Sequence, residues 1–299
     1  MTDETHHVRR SCRAMLRAGC LTIGLLGMAH AQDRGTWTQP QEPFRIFGNT
    51  YFVGTRGLSA VLIASPTGAV LIDGAVRESA ANIASNITAV GVRLRDVRLI
   101  VNSHVHSDHA GGISELQRRT GATVAALPWS AQVLRDGRKD RRDPQYETST
   151  PPAERVARVR TVHDGQVLHA GDVTITGHQT AGHTPGGTTW TWRSCEADRC
   201  LDFVYADSLT SVSADGFRFS DSRTYPEAID DFRSGFAFLR TVSCDILLTP
   251  HPEASGFWDR IARRDSGQRD ALIDRAQCAR YADAGDAQLR RRLDAERGQ

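Results

Sequence analysis

The sequence has no apolar run that reaches the roughly 20 residues of a transmembrane helix, and its charges leave no excess of one sign beyond the first 31 residues. That leader holds Arg9, Arg10, Arg13 and Arg17 against only Asp3 and Glu4, while the rest of the chain carries 33 basic and 33 acidic residues. A neutral chain has no electrostatic pull toward nucleic acid or anionic lipid, so neither is expected as a partner. Paired Cys-x-x-Cys spacing is missing, which argues against a zinc ribbon. There is no Gly-x-Ser-x-Gly elbow and no Cys–His pair in a persuasive setting, so nucleophilic serine or cysteine chemistry has no candidate. No long linker or short-period repeat follows residue 31. The 299 residues, 39% hydrophobic and 24% charged, read as an ordinary soluble globular protein able to bury a sizeable core.

What is present begins with an export signal. Basic residues up to Arg17 precede the apolar run Cys20–Met28, and Ala29-His30-Ala31 gives the small-x-small pattern of a cleavage site. Cys20 precedes the apolar run, where a lipoprotein would need it after. The reading is residues 1–31 as a cleaved signal and 32–299 as a mature periplasmic domain with no membrane attachment. Cys12 and Cys20 leave with the signal, and four cysteines remain for an oxidising compartment. Cys195 and Cys200 bracket a short polar stretch and can staple a hairpin tip; Cys244 and Cys278 would join a buried strand to a C-terminal helix. Free or differently paired thiols are the alternative.

Strand-like runs at 44–47, 51–53, 59–64 and 69–72 are punctuated by Gly- and Pro-containing turns. Ala80, Ile83, Ile87 and Val90 have helical spacing, and Gly91 is a natural C-terminal cap. A buried strand at 97–101, a helix from about Gly111 to Arg119 closed by Gly121, and a short strand at 124–127 follow. Residues 136–154 are polar and read as a long surface loop of the kind that often carries function. Further strands at 167–168, 173–176, 188–192 and 201–205 precede a helix near 226–240, a strand at 246–249 and C-terminal helices. Two successive runs of strands-then-helix predict an α/β fold of two halves packed sheet on sheet, an αββα sandwich in one domain.

The densest chemistry is His104-Val105-His106-Ser107-Asp108-His109, directly after the buried strand ending at Val101-Asn102. Four ligand-type side chains in six residues cannot all be core residues. His104 and His106 alternate and can point the same way, while Asp108 and His109 can turn to a neighbouring position, giving two ligands to each of two metals. His183, in Ala181-Gly182-His183-Thr184-Pro185-Gly186-Gly187, and His251, between Pro250 and Pro252 after a buried strand, are each a candidate third ligand. His163, His169 and His178 lie in or beside strands without matching partners and have little claim. A donor set of imidazoles plus one carboxylate favours zinc over magnesium or calcium. Two zinc ions sharing a water make it nucleophilic near neutral pH without any catalytic serine.

The His-x-His-x-Asp-His motif, the Gly-His-Thr-Pro-Gly turn and the late histidine resemble the metallo-β-lactamase superfamily, and nearly all of the mature sequence is most similar to its subclass B3. Supporting segments are Gly68–Gly74, Leu99–Gly111, Arg118–Ala122, Tyr205-Ala206-Asp207-Ser208-Leu209 and Leu247–Pro252. The resemblance implies the four-layer αββα metallo-β-lactamase fold. It places His104, His106 and His183 on a first zinc and Asp108, His109 and His251 on a second, with Asp108 also orienting the water. Ser208 would stand where related subclasses carry a cysteine ligand, and Thr210 would help hold the substrate carboxylate. It also implies the Cys244–Cys278 disulfide. No tyrosine oxyanion donor stands after Ser208, where Ser211-Val212-Ser213-Ala214 occurs, so carbonyl activation would rest on the first zinc. The implied reaction is hydrolysis of the β-lactam amide of penicillins, cephalosporins and carbapenems. The alternative is a superfamily hydrolase of a thioester, lactone or phosphoester, in which Asp207 would bridge the metals. Trp37 and Gln39 read equally as one wall of the cleft or, for Trp37, as packing.

Overall fold

The computed structural model describes residues 1–2 and 34–298. Apart from Met1 and Thr2, the expected leader, including Cys12, Cys20, His6, His7 and His30, lies outside the described residues. In chain order the elements are β1 (Phe44–Phe47), β2 (Thr50–Phe52), β3 (Val61–Ser65), β4 (Gly68–Ile72), α1 (Ala80–Ala89), β5 (Val97–Val101), α2 (Ser107–Ala110), α3 (Ile113–Thr120), β6 (Thr123–Ala126), α4 (Pro128–Asp136) and β7 (Val159–Thr161). Then come β8 (Val167–Ala170), β9 (Val173–Gln179), β10 (Thr188–Glu196), β11 (Arg199–Tyr205), α5 (Ala228–Thr241), β12 (Ile246–Leu248), α6 (Phe257–Asp265) and α7 (Gln277–Arg297).

The first seven strands form one sheet in sequence order, antiparallel from β1 to β4 and parallel from β4 to β7. The second sheet runs β12-β11-β10-β9-β8, with only β11–β12 parallel. Side chains alternate between faces along a strand, and the alternation sorts the apolar residues into separate cores. Val61, Ile63, Val70, Ile72 and Val101 meet Ile175, Trp190, Phe203 and Tyr205 between the sheets. Leu62, Leu71 and Ile100 point the other way, into a layer with Ile83, Ile87, Leu116 and Leu134 of the helices. On the far side Val204 and Leu247 pack against Phe232, Phe236, Leu239 and Leu289. Helix, sheet, sheet and helix follow in that order, the αββα sandwich expected from the strand-then-helix pattern.

Besides the single-turn α2, helix α4 and strand β7 escape the sequence reading. Helix α4 starts with Pro128 in its first turn, and Gly137 closes it in the left-handed conformation (φ 62°). Its nine residues are too few for helical spacing to stand out. Strand β7 is three half-exposed residues at the sheet edge. After α4 the chain is irregular until β7. Cys195 and Cys200 face each other across the β10–β11 hairpin and are bonded, as are Cys244 and Cys278, which join the approach to β12 to α7. Among the described residues no helix is long and apolar enough to cross a membrane.

Candidate metal centre

Strand β5 runs between β4 and β6, and its carboxyl end delivers Asn102 and Ser103 into a fully buried turn. Asp73, just past β4, pins that turn. Its carboxylate accepts the Ser103 backbone N–H (2.7 Å), the Ser103 hydroxyl (2.7 Å), the Asn102 amide (3.2 Å) and the Tyr205 hydroxyl (2.9 Å). Burial raises the Asp73 pKa against these bonds.

Beyond the turn, Val105 is buried in the helix-layer core, which leaves His104 and His106 on the other side. His106 is extended (φ −63°, ψ 147°) at the start of α2, whose single turn carries Asp108 and His109. His183 arrives on the β9–β10 loop. Gly182 before it adopts φ +130°, and a Cβ there would lie 2.5 Å from the Phe232 ring, so this turn accepts only glycine. His251 follows β12 in extended conformation (φ −102°, ψ 112°).

These segments from three parts of the chain converge. Imidazole centroids lie 4.8 Å apart for His104–His106 and His104–His183, and 5.0 Å for His106–His183. Each of the three offers a ring nitrogen within 4.8 Å of the others. Beside them, His109 Nε2 is 3.1 Å from His251 Nε2, and Asp108 Oδ2 is 3.2 Å from His109 Nε2 and 3.4 Å from His251 Nε2. His104 and His109, 4.5 Å apart, link the two groups.

In the first group each histidine has one ring nitrogen committed outward. His104 Nδ1–H donates to Asp207 Oδ1 (2.7 Å), His106 Nε2–H to the Asp143 carboxylate (3.0 and 3.2 Å), and His183 Nδ1–H to the Thr210 carbonyl (2.8 Å). A neutral imidazole carries one N–H, so the opposite nitrogen keeps its lone pair. Burial drives His183 down to about 3 and His104 well below the ordinary histidine range, the neighbouring histidines adding to the effect on both. Burial also opposes charge on His106, but the Asp143 carboxylate outweighs it and raises the pKa. Burial by itself would raise Asp108, yet His109 and His251 hold it well below the usual carboxylate range. The His104 and His183 imidazoles, kept from charge, facing His106 and set beside the ionised Asp108 carboxylate, fit a divalent metal, which would supply the positive charge their nitrogens and oxygen can bind.

Ser208 is buried next to Asp207, and Thr210 sits with its hydroxyl 3.2 Å from His183 Nδ1. The Trp37 ring is 5.8 Å from that of His251 and also packs on the helix-layer core, while Gln39 is exposed. His163 and His169 are exposed, and His178 is hydrogen-bonded to Thr191 and stacked on Phe238. Sequence reading left Asp73, Asp143 and Gln145 without roles. Gln145 places its amide nitrogen 3.4 Å from His183 Nε2. The polar, Pro-containing character of 136–154 pointed to the segment that holds two of them, though not to which residues.

The model of the metallo-beta-lactamase superfamily matches residues 53–267. Among solved structures, the Rm3 metallo-beta-lactamase is 49% identical over 88% of this chain and 97% of its own, with a TM-score of 0.86. MEM-A1, a subclass B3 metallo-beta-lactamase from a soil metagenome library, is 49% identical over 88% of this chain and 99% of its own, with a TM-score of 0.85. The metallo-beta-lactamase SMB-1, solved in complex with mercaptoacetic acid, is 45% identical over 87% and 99%, with a TM-score of 0.82. With a turn of clustered ligand-type side chains at the end of a buried strand, two later histidines beside it, and this degree of identity over nearly the whole sandwich, the chain belongs to the metallo-β-lactamase superfamily, among its subclass B3 members.

Proposed function

We propose that this chain hydrolyses the β-lactam amide of penicillins, cephalosporins and carbapenems at a centre of two zinc ions. His104, His106 and His183 would hold one ion; Asp108, His109 and His251 the other. The observation that carries the reading is that the His104, His106 and His183 group abuts a second one in which Asp108, His109 and His251 lie within 3.1–3.4 Å of one another, the His104 and His109 ring centroids being 4.5 Å apart. Zinc bound there supplies an activated water near neutral pH and polarises the scissile carbonyl. Asp108, kept ionised by its histidine neighbours, accepts a hydrogen bond from the attacking water and orients it. Thr210 stands beside His183 and Ser208 follows the buried Asp207; their hydroxyls would meet the substrate carboxylate.

The rival, a thioester, lactone or phosphoester hydrolase with Asp207 bridging the metals, is disfavoured. Asp207 is fully buried and meets His104 on Nδ1, behind the ring rather than between the two groups. Export to the periplasm with removal of residues 1–31 completes the reading, supported by the apolar leader and by two disulfides suited to an oxidising compartment.

The test is turnover of a chromogenic cephalosporin by purified protein lacking residues 1–31, with a metal count on the same sample. Two zinc ions per chain and hydrolysis abolished by chelator and restored by zinc are expected. Protein holding two zinc ions that leaves every β-lactam class intact overturns the proposal.

A further inference from the structure

The irregular segment after α4 reaches the metal centre at one carboxylate. Asp143 is 6% exposed, and both of its oxygens lie within hydrogen-bond distance of His106 Nε2, at 3.0 and 3.2 Å. Its other bond comes from the Gln145 backbone N–H (2.8 Å), which turns the chain around it. The segment is built to stay in place. Lys139, the only lysine of the chain, spends its Nζ on the Tyr146 carbonyl (3.1 Å) and on the carbonyl and hydroxyl of Thr148 (2.6 and 3.2 Å). From the other side the Ala214 N–H donates to the Pro144 carbonyl at 2.9 Å, anchoring the turn to the chain that follows Thr210.

We propose that Asp143 is a positioning residue for metal binding, holding the His106 ring in the orientation that presents Nδ1 to the first metal. The inference rests on the zinc reading above and adds to it a residue outside the six ligand candidates. Both Asp143 oxygens face Nε2, so the carboxylate occupies that nitrogen and leaves Nδ1 turned away from it with its lone pair. Nδ1 is the nitrogen left to complete the group with His104 and His183, whose own outward nitrogens are already tied. His106 needs this more than its neighbours do. It opens α2 in extended conformation, its ring is edge-on to those of His104 and His183, and Asp143 is the group that meets its outer nitrogen. A carboxylate on the far nitrogen also makes the ligating one more basic; removing such a partner typically costs about 10–100-fold in metal affinity.

The experiment compares wild type, Asp143→Ala and Asp143→Asn by titration of zinc against a chromophoric chelator. It is paired with spectra of the zinc-loaded proteins carrying ¹⁵N-labelled histidine. Asp143→Ala should bind its first zinc about 10–100-fold more weakly and lose one exchange-protected imidazole N–H resonance. Asp143→Asn, whose amide oxygen still accepts but without charge, should keep that resonance and bind several-fold more weakly than wild type. If Asp143→Ala does not fold, the asparagine variant decides: affinity equal to wild type would mean the carboxylate only props the loop, and the proposal falls. Asp143→Ala with wild-type affinity and the full set of resonances overturns it as well. Wild type that takes up no zinc brings down the metal-centre reading itself, an outcome distinct from a zinc-binding wild type matched by its variants.

Discussion

At the scale of single residues, the centre depends on which nitrogen or oxygen each side chain turns inward. Asp108 differs from the five histidines in bringing charge, and that charge is secured by His109 and His251. Asp108→Asn keeps the size and removes the charge, so zinc content should fall toward one ion per chain and kcat/KM should drop by more than the ~100-fold upper range seen for groups one step removed from a metal. Metal analysis beside steady-state kinetics on one preparation checks both; undiminished zinc content would show that Asp108 is no ligand. The six candidate ligands were legible in the sequence because four of them crowd into one turn and the other two sit where glycine and proline force the backbone open. Asp143 and Asp73 were not legible. Each carboxylate acts on a partner about 30 or more residues away, His106 and Ser103 respectively, and nothing local marks a carboxylate as buried. Burial of a charge is decided by packing, which periodicity does not report.

At the scale of elements, strands with clean alternation or continuous apolar runs were readable, and so were helices closed by Gly91 and Gly121. Helix α4 and strand β7 were not, being short and set by what they pack on rather than by their own pattern. The same holds for the end of α7, whose role shows only in three dimensions. Glu296, in its last turn, is 2% exposed and accepts the backbone N–H groups of Phe219 (3.1 Å) and Ser220 (2.9 Å) and the Arg292 guanidinium (2.6 Å). It thereby ties down the chain that continues from Thr210. Glu296→Ala removes these bonds, one of them to the buried Phe219 N–H, and should cost about 1.5–3 kcal/mol, the range for hydrogen bonds to a charged group. Burial disfavours the Glu296 charge, but Arg292 and the backbone N–H groups of Ser220 and Phe219 outweigh it and lower the pKa from 4.5. A carboxyl lowered in the folded state contributes stability that is complete above its unfolded pKa and disappears as pH falls through the folded value. Urea unfolding over a pH series should therefore show the widest gap between wild type and variant above pH 4.5, closing below it. A gap independent of pH would assign the loss to packing alone.

At the scale of the whole sandwich, the two sheets meet across one core and each carries helices on its outer face. The metal-ligand candidates come from the loops at β5, β9–β10 and β12, so their spacing depends on both sheets staying in register with each other. The Cys244–Cys278 bridge does not touch that centre. It joins the approach to β12 to α7, where Cys244 and Cys278 are buried in the outer core with Phe232 and Leu289. A crosslink closing 34 residues removes unfolded-state freedom worth about 4 kcal/mol, whereas the five-residue Cys195–Cys200 loop is worth about 2. Replacing Cys244 and Cys278 by alanine together should lower the midpoint of thermal unfolding by roughly 2–4 °C for each kcal/mol lost. Replacing Cys195 and Cys200 should lower it about half as far. Because the bridge holds the outer layer and not the ligand loops, the folded Cys244→Ala/Cys278→Ala protein should keep its full zinc content and its KM well below the new midpoint. Loss of zinc at a temperature where circular dichroism still reports a native fold would show that the outer helix, and not the sheet pair alone, sets the geometry of the metal centre.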